Sequence, residues 1–303
     1  MALNLVNRLK YIYISLQIVF WRVFRLFKGA AVKTTTVYFD RNVFDQIDRN
    51  LDVSANDLAL IRREVAKGNI AVLVSFETVV ETANARFDTA LKGLNLIKSL
   101  CRQELPIKPH FELVRDDISD FAAGRRPSAP FVNGRFAIDS VIADLRNPTE
   151  EFKEMIADEK RRKEKLNEDL KKHVDYERDA LKGKRPASFQ RYWEQRSGFY
   201  AESFAHFGGY LEQCRAQGID NLLQVRSIKT AVGAFLSLMY SLWIEGRAVK
   251  NGTAYDLKHA APMSAADIVI TNDGGLRDLL LRQPAPDLHV MKLPEFVEMI
   301  VSK

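Results

Sequence analysis

The feature that most constrains this chain is a pair of strand-like runs near its opposite ends, each finishing on an acid. Thr34 to Asp40 reads TTTVYFD, and Asp267 to Asp273 reads DIVITND. Unbroken β-branched and aromatic residues of this kind suit short strands buried on both faces. Ile70 to Val74, IAVLV, is a third such run, Leu288 to Met291 a further one, and His110 to Val114 is also expected as a strand. Helical segments separate them. Residues 42–50 look helical, and a helix from Ser54 to about Lys67 has an N-cap serine, Asp57 in the capping-box position and Gly68 as its stop. Ser75 caps a helix that carries Glu77 and Glu81, and another helix covers about 85–103. Strands alternating with helices predict an α/β fold, a parallel sheet with helices on both faces.

The alternation breaks near Arg115. Gly124 to Pro130 is a loop, 149–182 a long helix of balanced charge, and Gly183 to Pro186 a break. Phe189 to Tyr210 is rich in aromatics at helical spacing, which predicts a helical core more readily than a base-stacking platform, and 227–245 is an apolar helix. Helices over Asp256–Ala261, Leu276–Leu281 and Pro294–Val301 then rejoin the α/β pattern. The chain therefore divides into an extension over 1–32, an α/β domain over 33–115 and 246–303, and a mostly helical insertion over 116–245.

Residues 5–27 are apolar at helical spacing, with Arg8 and Lys10 before and Arg22, Arg25 and Lys28 after the apolar centre. That centre, Tyr11 to Trp21, is shorter than the roughly 20 residues that span a bilayer. The arginines fall where a signal peptide would need small uncharged residues. A basic amphipathic helix touching a membrane surface or a partner, a helix folded on its own domain, and a start site placed too early all stay open.

Composition narrows the class. Of 303 residues 47% are hydrophobic and 28% charged, which is ordinary for a globular protein and excludes a disordered one. The net charge of +6 and pI near 9.2 favour a polyanionic partner or an anionic membrane surface without choosing between them. The two cysteines, Cys101 and Cys214, form no CxxC pair. Neither a usual zinc site nor a secreted disulfide scaffold follows, and a reducing cytoplasm fits.

In open parallel sheets, sites form outside the carboxyl ends of the strands, so Asp40 and Asp273 can converge. Glu77 and Glu81 lie four apart and share one helix face, as Asp256 and His259 do at a spacing of three. Gathered carboxylates repel and raise one another's pKa, a conflict that a hard divalent cation removes. Asp40-Arg41-Asn42 lacks the second acid of a D-x-D phosphatase motif, and a phospho-acceptor receiver would need paired acids and a late lysine.

Four stretches, VYFDRNVF at 37–44, VSFETVVE at 74–81, YDLKHA at 255–260 and ADIVITND at 266–273, together resemble the PIN-domain nuclease superfamily, which includes the VapC ribonuclease toxins. The resemblance covers about 34–115 and 250–303 and implies a three-layer α/β/α sandwich with a central parallel sheet. It implies a metal-dependent endoribonuclease in which Asp40, Glu81, Asp256 and Asp273 bind Mg2+ or Mn2+ and attack RNA. Thr271 and Asn272 would support the site, Asp267 would be structural, and Glu77 competes with Glu81. A toxin-like role with an antitoxin and a homodimer are further implications, while a cytoplasmic location, with peripheral membrane contact through residues 5–27, is the expectation from the cysteines and the N-terminal segment. The insertion is longer than a compact PIN domain allows. The alternative is a non-catalytic PIN-like module binding RNA or protein.

Overall fold

The computed structural model describes residues 34–302, apart from 50, 52, 102–104, 133, 135–136, 248–252 and 284–287. The helix expected over 5–27 lies outside the described residues. β1 (Thr35–Phe39) is followed by α1 (Arg41–Asp48) and α2 (Ala55–Lys67), and β2 (Ile70–Leu73) by α3 (Phe76–Ala83) and α4 (Phe87–Leu100). Next come α5 (His110–Ala122), α6 (Ile138–Arg146), α7 (Glu150–Ala180), α8 (Phe189–Phe207) and α9 (Leu211–Ala216). A 3-10 turn over Ile219–Gln224 leads to α10 (Arg226–Met239), whose end passes into a π-turn over Tyr240–Ile244. The chain closes with α11 (Thr253–Met263), β3 (Ile268–Ile270), α12 (Gly274–Leu281), β4 (His289–Met291) and α13 (Leu293–Val301).

The four strands form one all-parallel sheet in the order β2-β1-β3-β4. From β1 the chain moves outward to β2, and later returns to the other side of β1 as β3. The order therefore reverses between β1 and β3, whose registers pair Phe39 with Ile270. Side chains alternate across the pleat. Val37, Phe39, Val72, Ile268 and Ile270 enter one core, shared with α1, α2, α4, α6 and α13. Tyr38, Leu73, Val269 and Val290 enter the other, shared with α5, α8, α10, α11 and α12. Apolar residues of the helices within 116–245 thus join the same two cores as the strands, and residues 35–303 form one compact unit.

Local signals explain most element ends. Ser54 and Asp57 make the reciprocal capping box of α2, and Gly68 ends it in the left-handed region at φ 78°. Ser75 caps α3 through the Thr78 N–H. The stretch His110–Val114, expected as a strand, is instead the first turn of α5. Among the described residues, strand pairing there is limited to isolated bridges from Ile107 to Ser75 and Phe131, and Pro109, which lacks an N–H, stands at the helix start. Among the described residues, Arg226–Ile244 is long and apolar enough to cross a membrane, but 78% of it is buried inside this protein.

Candidate functional site

The order reversal places the carboxyl ends of β1 and β3 side by side, where the cleft of a parallel sheet opens. Asp40 follows β1 directly and is buried. Its Oδ1 accepts from the Arg41 N–H at 2.7 Å, and its Oδ2 accepts from Asn42 Nδ2 at 2.6 Å and Thr271 Oγ1 at 2.9 Å. Asp273 lies three residues past β3, and its Oδ1 accepts from the Leu276 N–H at 2.9 Å. Both strand-end acids therefore cap the helix that follows, α1 and α12. Capping satisfies the helix N–H groups and stabilises negative charge at their positive ends.

Thr271 couples the two acids, because its hydroxyl donates to Asp40 and accepts from the Asp273 N–H at 3.1 Å. Asn42 Oδ1 accepts from the Asn272 N–H at 3.2 Å, Asn272 Nδ2 donates to Gln46 Oε1, and Asn272 Oδ1 accepts from the Leu293 N–H at 3.2 Å. Asp267, at the opposite end of β3, accepts from the backbone N–H and hydroxyl of Thr36 at 3.0 and 2.9 Å and staples β3 to β1.

Glu81 on α3 and Asp256 on α11 bring two more carboxyls. Burial first, and the Asp273 charge second, push Asp256 up to about 7; His259 opposes the rise, while Asp40 and Glu81 contribute to it. Asp40 is raised first by burial and also by Glu81, with His259, Thr271 and the Arg41 N–H pulling it back. Asp256 thus senses the charges of the other three acids, and Asp40 senses that of Glu81.

The hub between them is His259. Its Nε2 lies 3.7 Å from Glu81 Oε2, and its Nδ1 lies 3.0 Å from the Tyr38 hydroxyl. Tyr38 donates to Ser75 Oγ at 2.9 Å and also lies 3.2 Å from Thr78 Oγ1. With the phenolic proton committed to Ser75, Nδ1–H becomes the donor to Tyr38, while Nε2–H faces Glu81. Only the doubly protonated ring supplies both donors. Burial disfavours that charge, but Tyr38, Glu81 and Asp40 together hold the His259 pKa well above its ordinary value.

Glu77 stands apart from the four. It is buried one turn earlier on α3, with Oε1 accepting from the His110 N–H at 2.7 Å and Oε2 lacking a hydrogen-bond partner. Burial raises its carboxyl to about 7. His110 is held down to about 4 by burial and by the nearby charges of His259 and Lys258, and its Nδ1 accepts from the Ala261 N–H at 3.4 Å.

Among the described residues, no three His, Cys, Asp or Glu side chains stand close enough together to cage a metal ion. The donor chemistry still suits a hydrated magnesium ion, which takes one or two carboxylates directly and keeps several waters. Sequence reasoning passed over His259, Tyr38 and Asn42. The D-x-x-H spacing did place His259 beside Asp256, but Tyr38 looked like one more strand residue.

Comparison of the chain with protein-family profiles, with curated proteins and with solved structures found no match.

Proposed function

We propose that this chain is a divalent-metal-dependent endoribonuclease with a PIN-like three-layer architecture. The observation that carries the reading is that Asp40 and Asp273 follow the neighbouring strands β1 and β3 at the sheet's switch point, with Asp256 raised first by burial and then in part by Asp273, Asp40 and Glu81. Asp40, Glu81, Asp256 and Asp273 would hold Mg2+ or Mn2+. Such an ion supplies an activated water and neutralises charge on a phosphodiester. Asn42 and Thr271 fix the Asp40 carboxylate, so its free lone pairs face a constant direction. Thr271 also fixes the backbone at Asp273. His259 holds Glu81 from the buried side, and its positive charge offsets part of the acids' repulsion.

A second reading, a PIN-like module that binds RNA or protein without cleaving, is favoured by one observation. Asp40 and Asp273 already serve as helix caps, and no three-ligand cage stands ready. The two readings separate in one assay, using labelled single-stranded RNA and DNA incubated with the protein in Mn2+, Mg2+ or EDTA. Internal RNA cleavage that needs the metal supports the nuclease. Intact RNA in every arm, at protein concentrations that shift it on a gel, supports the binding module.

A further inference from the structure

A groove of about 350 Å3 opens between α3, α5, α7 and α11, next to the acid cluster but not lined by it. Its wall on α3 includes Glu77, while Glu81 lies four residues further along the same helix, about 6 Å by helical rise. On α11 its wall is Lys258, the residue before His259. The groove and the acids are therefore neighbours on two shared helices.

The lining combines three kinds of chemistry. Phe76 and Phe111 are aromatic, and Phe111 is 65% exposed although apolar. Arg162, Lys165 and Lys258 are cationic. Of the acids, Glu159 is bound by Lys258 at 2.9 Å and Asp169 by Lys172 at 3.3 Å. Arg162 reaches Asp158 at 2.6 Å, and Lys165 has no ion pair among the described residues. Glu77 is a buried carboxyl in the wall whose Oε2 has no hydrogen-bond partner. An orphaned buried acceptor carries a cost that a ligand N–H would relieve. Aromatic faces beside cations are the chemistry that holds unpaired nucleotides.

We propose that this groove binds one nucleotide of single-stranded RNA beside the acid cluster, with its base on Phe111 and Phe76 and its phosphates near Arg162 and Lys165. The base is guanine, which presents two adjacent N–H donors on its Watson–Crick edge to the Glu77 carboxyl. The volume lies within the range of small-ligand pockets. The inference deepens the ribonuclease reading and rests on it for the class of substrate.

Binding is measured without cleavage, by fluorescence anisotropy in EDTA on the full chain, with the pentanucleotides UUGUU and UUAUU as probes. Wild type is expected to prefer UUGUU at least five-fold, and Glu77→Gln to lose that preference. Arg162→Glu with Lys165→Glu is expected to weaken both probes more than ten-fold. It should also flatten the slope of log affinity against log salt by about 1.4, the share of two phosphates on a single strand. Phe111→Ala, at an exposed position, should weaken binding several-fold with an unchanged melting temperature. Wild-type affinity in the charge-reversed variant, or equal affinity of wild type for the two probes, overturns the proposal. Those outcomes leave metal-dependent cleavage standing or falling on its own assay, because no metal is present here.

Discussion

Two carboxylate centres of this molecule, one around Glu177 and one at the carboxyl edge of the sheet, are built in opposite ways. In the helical half, Glu177 on α7 is fully buried and accepts four hydrogen bonds. Tyr192 and Tyr200 donate at 2.6 and 2.5 Å, and Arg196 donates through Nε and Nη2 at 3.0 and 2.7 Å. Arg196 in turn lies 4.4 Å over the Phe199 ring, against which Tyr200 packs edge-on. One acid meets one guanidinium and two phenols, and every lone-pair direction is used. At the sheet's carboxyl edge, four acids meet one imidazolium, and Asp256 is held up to about 7. The first centre is closed chemically and can only hold α7 to α8. The second is short of positive charge, which is the condition for capturing a cation or a phosphate-bound metal.

The comparison can be broken most directly at Asp40. Asp40→Asn keeps the shape and removes a charge, so RNA cleavage in Mn2+ is expected to fall by about 100-fold or more, on the scale of one strong transition-state contact. The metal-free melting temperature should hold or rise. Cleavage at the native rate by this variant would end the functional contrast between the two centres. At the closed centre the expectation reverses. Glu177→Ala strands Arg196, and breaking a buried pair costs about 3–5 kcal/mol, read as a lower midpoint in chemical unfolding. A variant as stable as wild type would show that Glu177 is not the lock described.

The pH dependence sharpens the contrast further. Asp256 and Glu77 are both raised to about 7 by burial first, so the folded protein keeps protons that the unfolded chain releases from the ordinary carboxylate range upward. Unfolding then releases protons between about pH 4 and 7, and stability falls as pH rises through that window. In EDTA the melting temperature should be higher at pH 5 than at pH 7.5, and Asp256→Asn should reduce the difference. A melting temperature that climbs over this interval contradicts the assignment. The smallest effect is expected at the exposed Glu150–Lys153 pair, at the other end of the helix that carries Glu177. Replacing Lys153 with Ala should cost no more than about 0.5 kcal/mol, which would locate the value of Glu177 in its burial and not in ion pairing as such.

Much of the α/β frame was legible because its signals are local. The Ser54 box, Gly68, the Ser75 cap and the β-branched runs each act within a few residues. His110–Val114 misled because a short apolar run is compatible with strand or helix, and the arbiter, packing of Leu113, Val114 and Ile118 into the core beneath α10 and α11, is non-local. The acids themselves were visible as residue types at strand ends and on helix faces. Their division into a group of four with Glu77 outside was not. Glu77 and Glu81 share a helical spacing, and only the distant His110 N–H and His259 ring draw them apart. Tyr38 was legible as a strand residue, while its bond to a histidine 221 positions away depends on the whole fold.

The 31-residue helix α7 has a mechanical consequence. At 1.5 Å per residue it is about 46 Å long. Near its start Phe152 is seated in the core on one face of the sheet, and further along Leu170 is seated in the core on the other. One continuous rod is therefore clamped on both sides of the strands, with Glu177 as a bolt at its far end and Glu159 tied to Lys258 on the way. Any hinge motion that parts the two faces must bend this rod or pull an anchor free. A deflection at one clamp is thereby delivered to the other along α7, past the groove and α11, without passing through the strand hydrogen bonds.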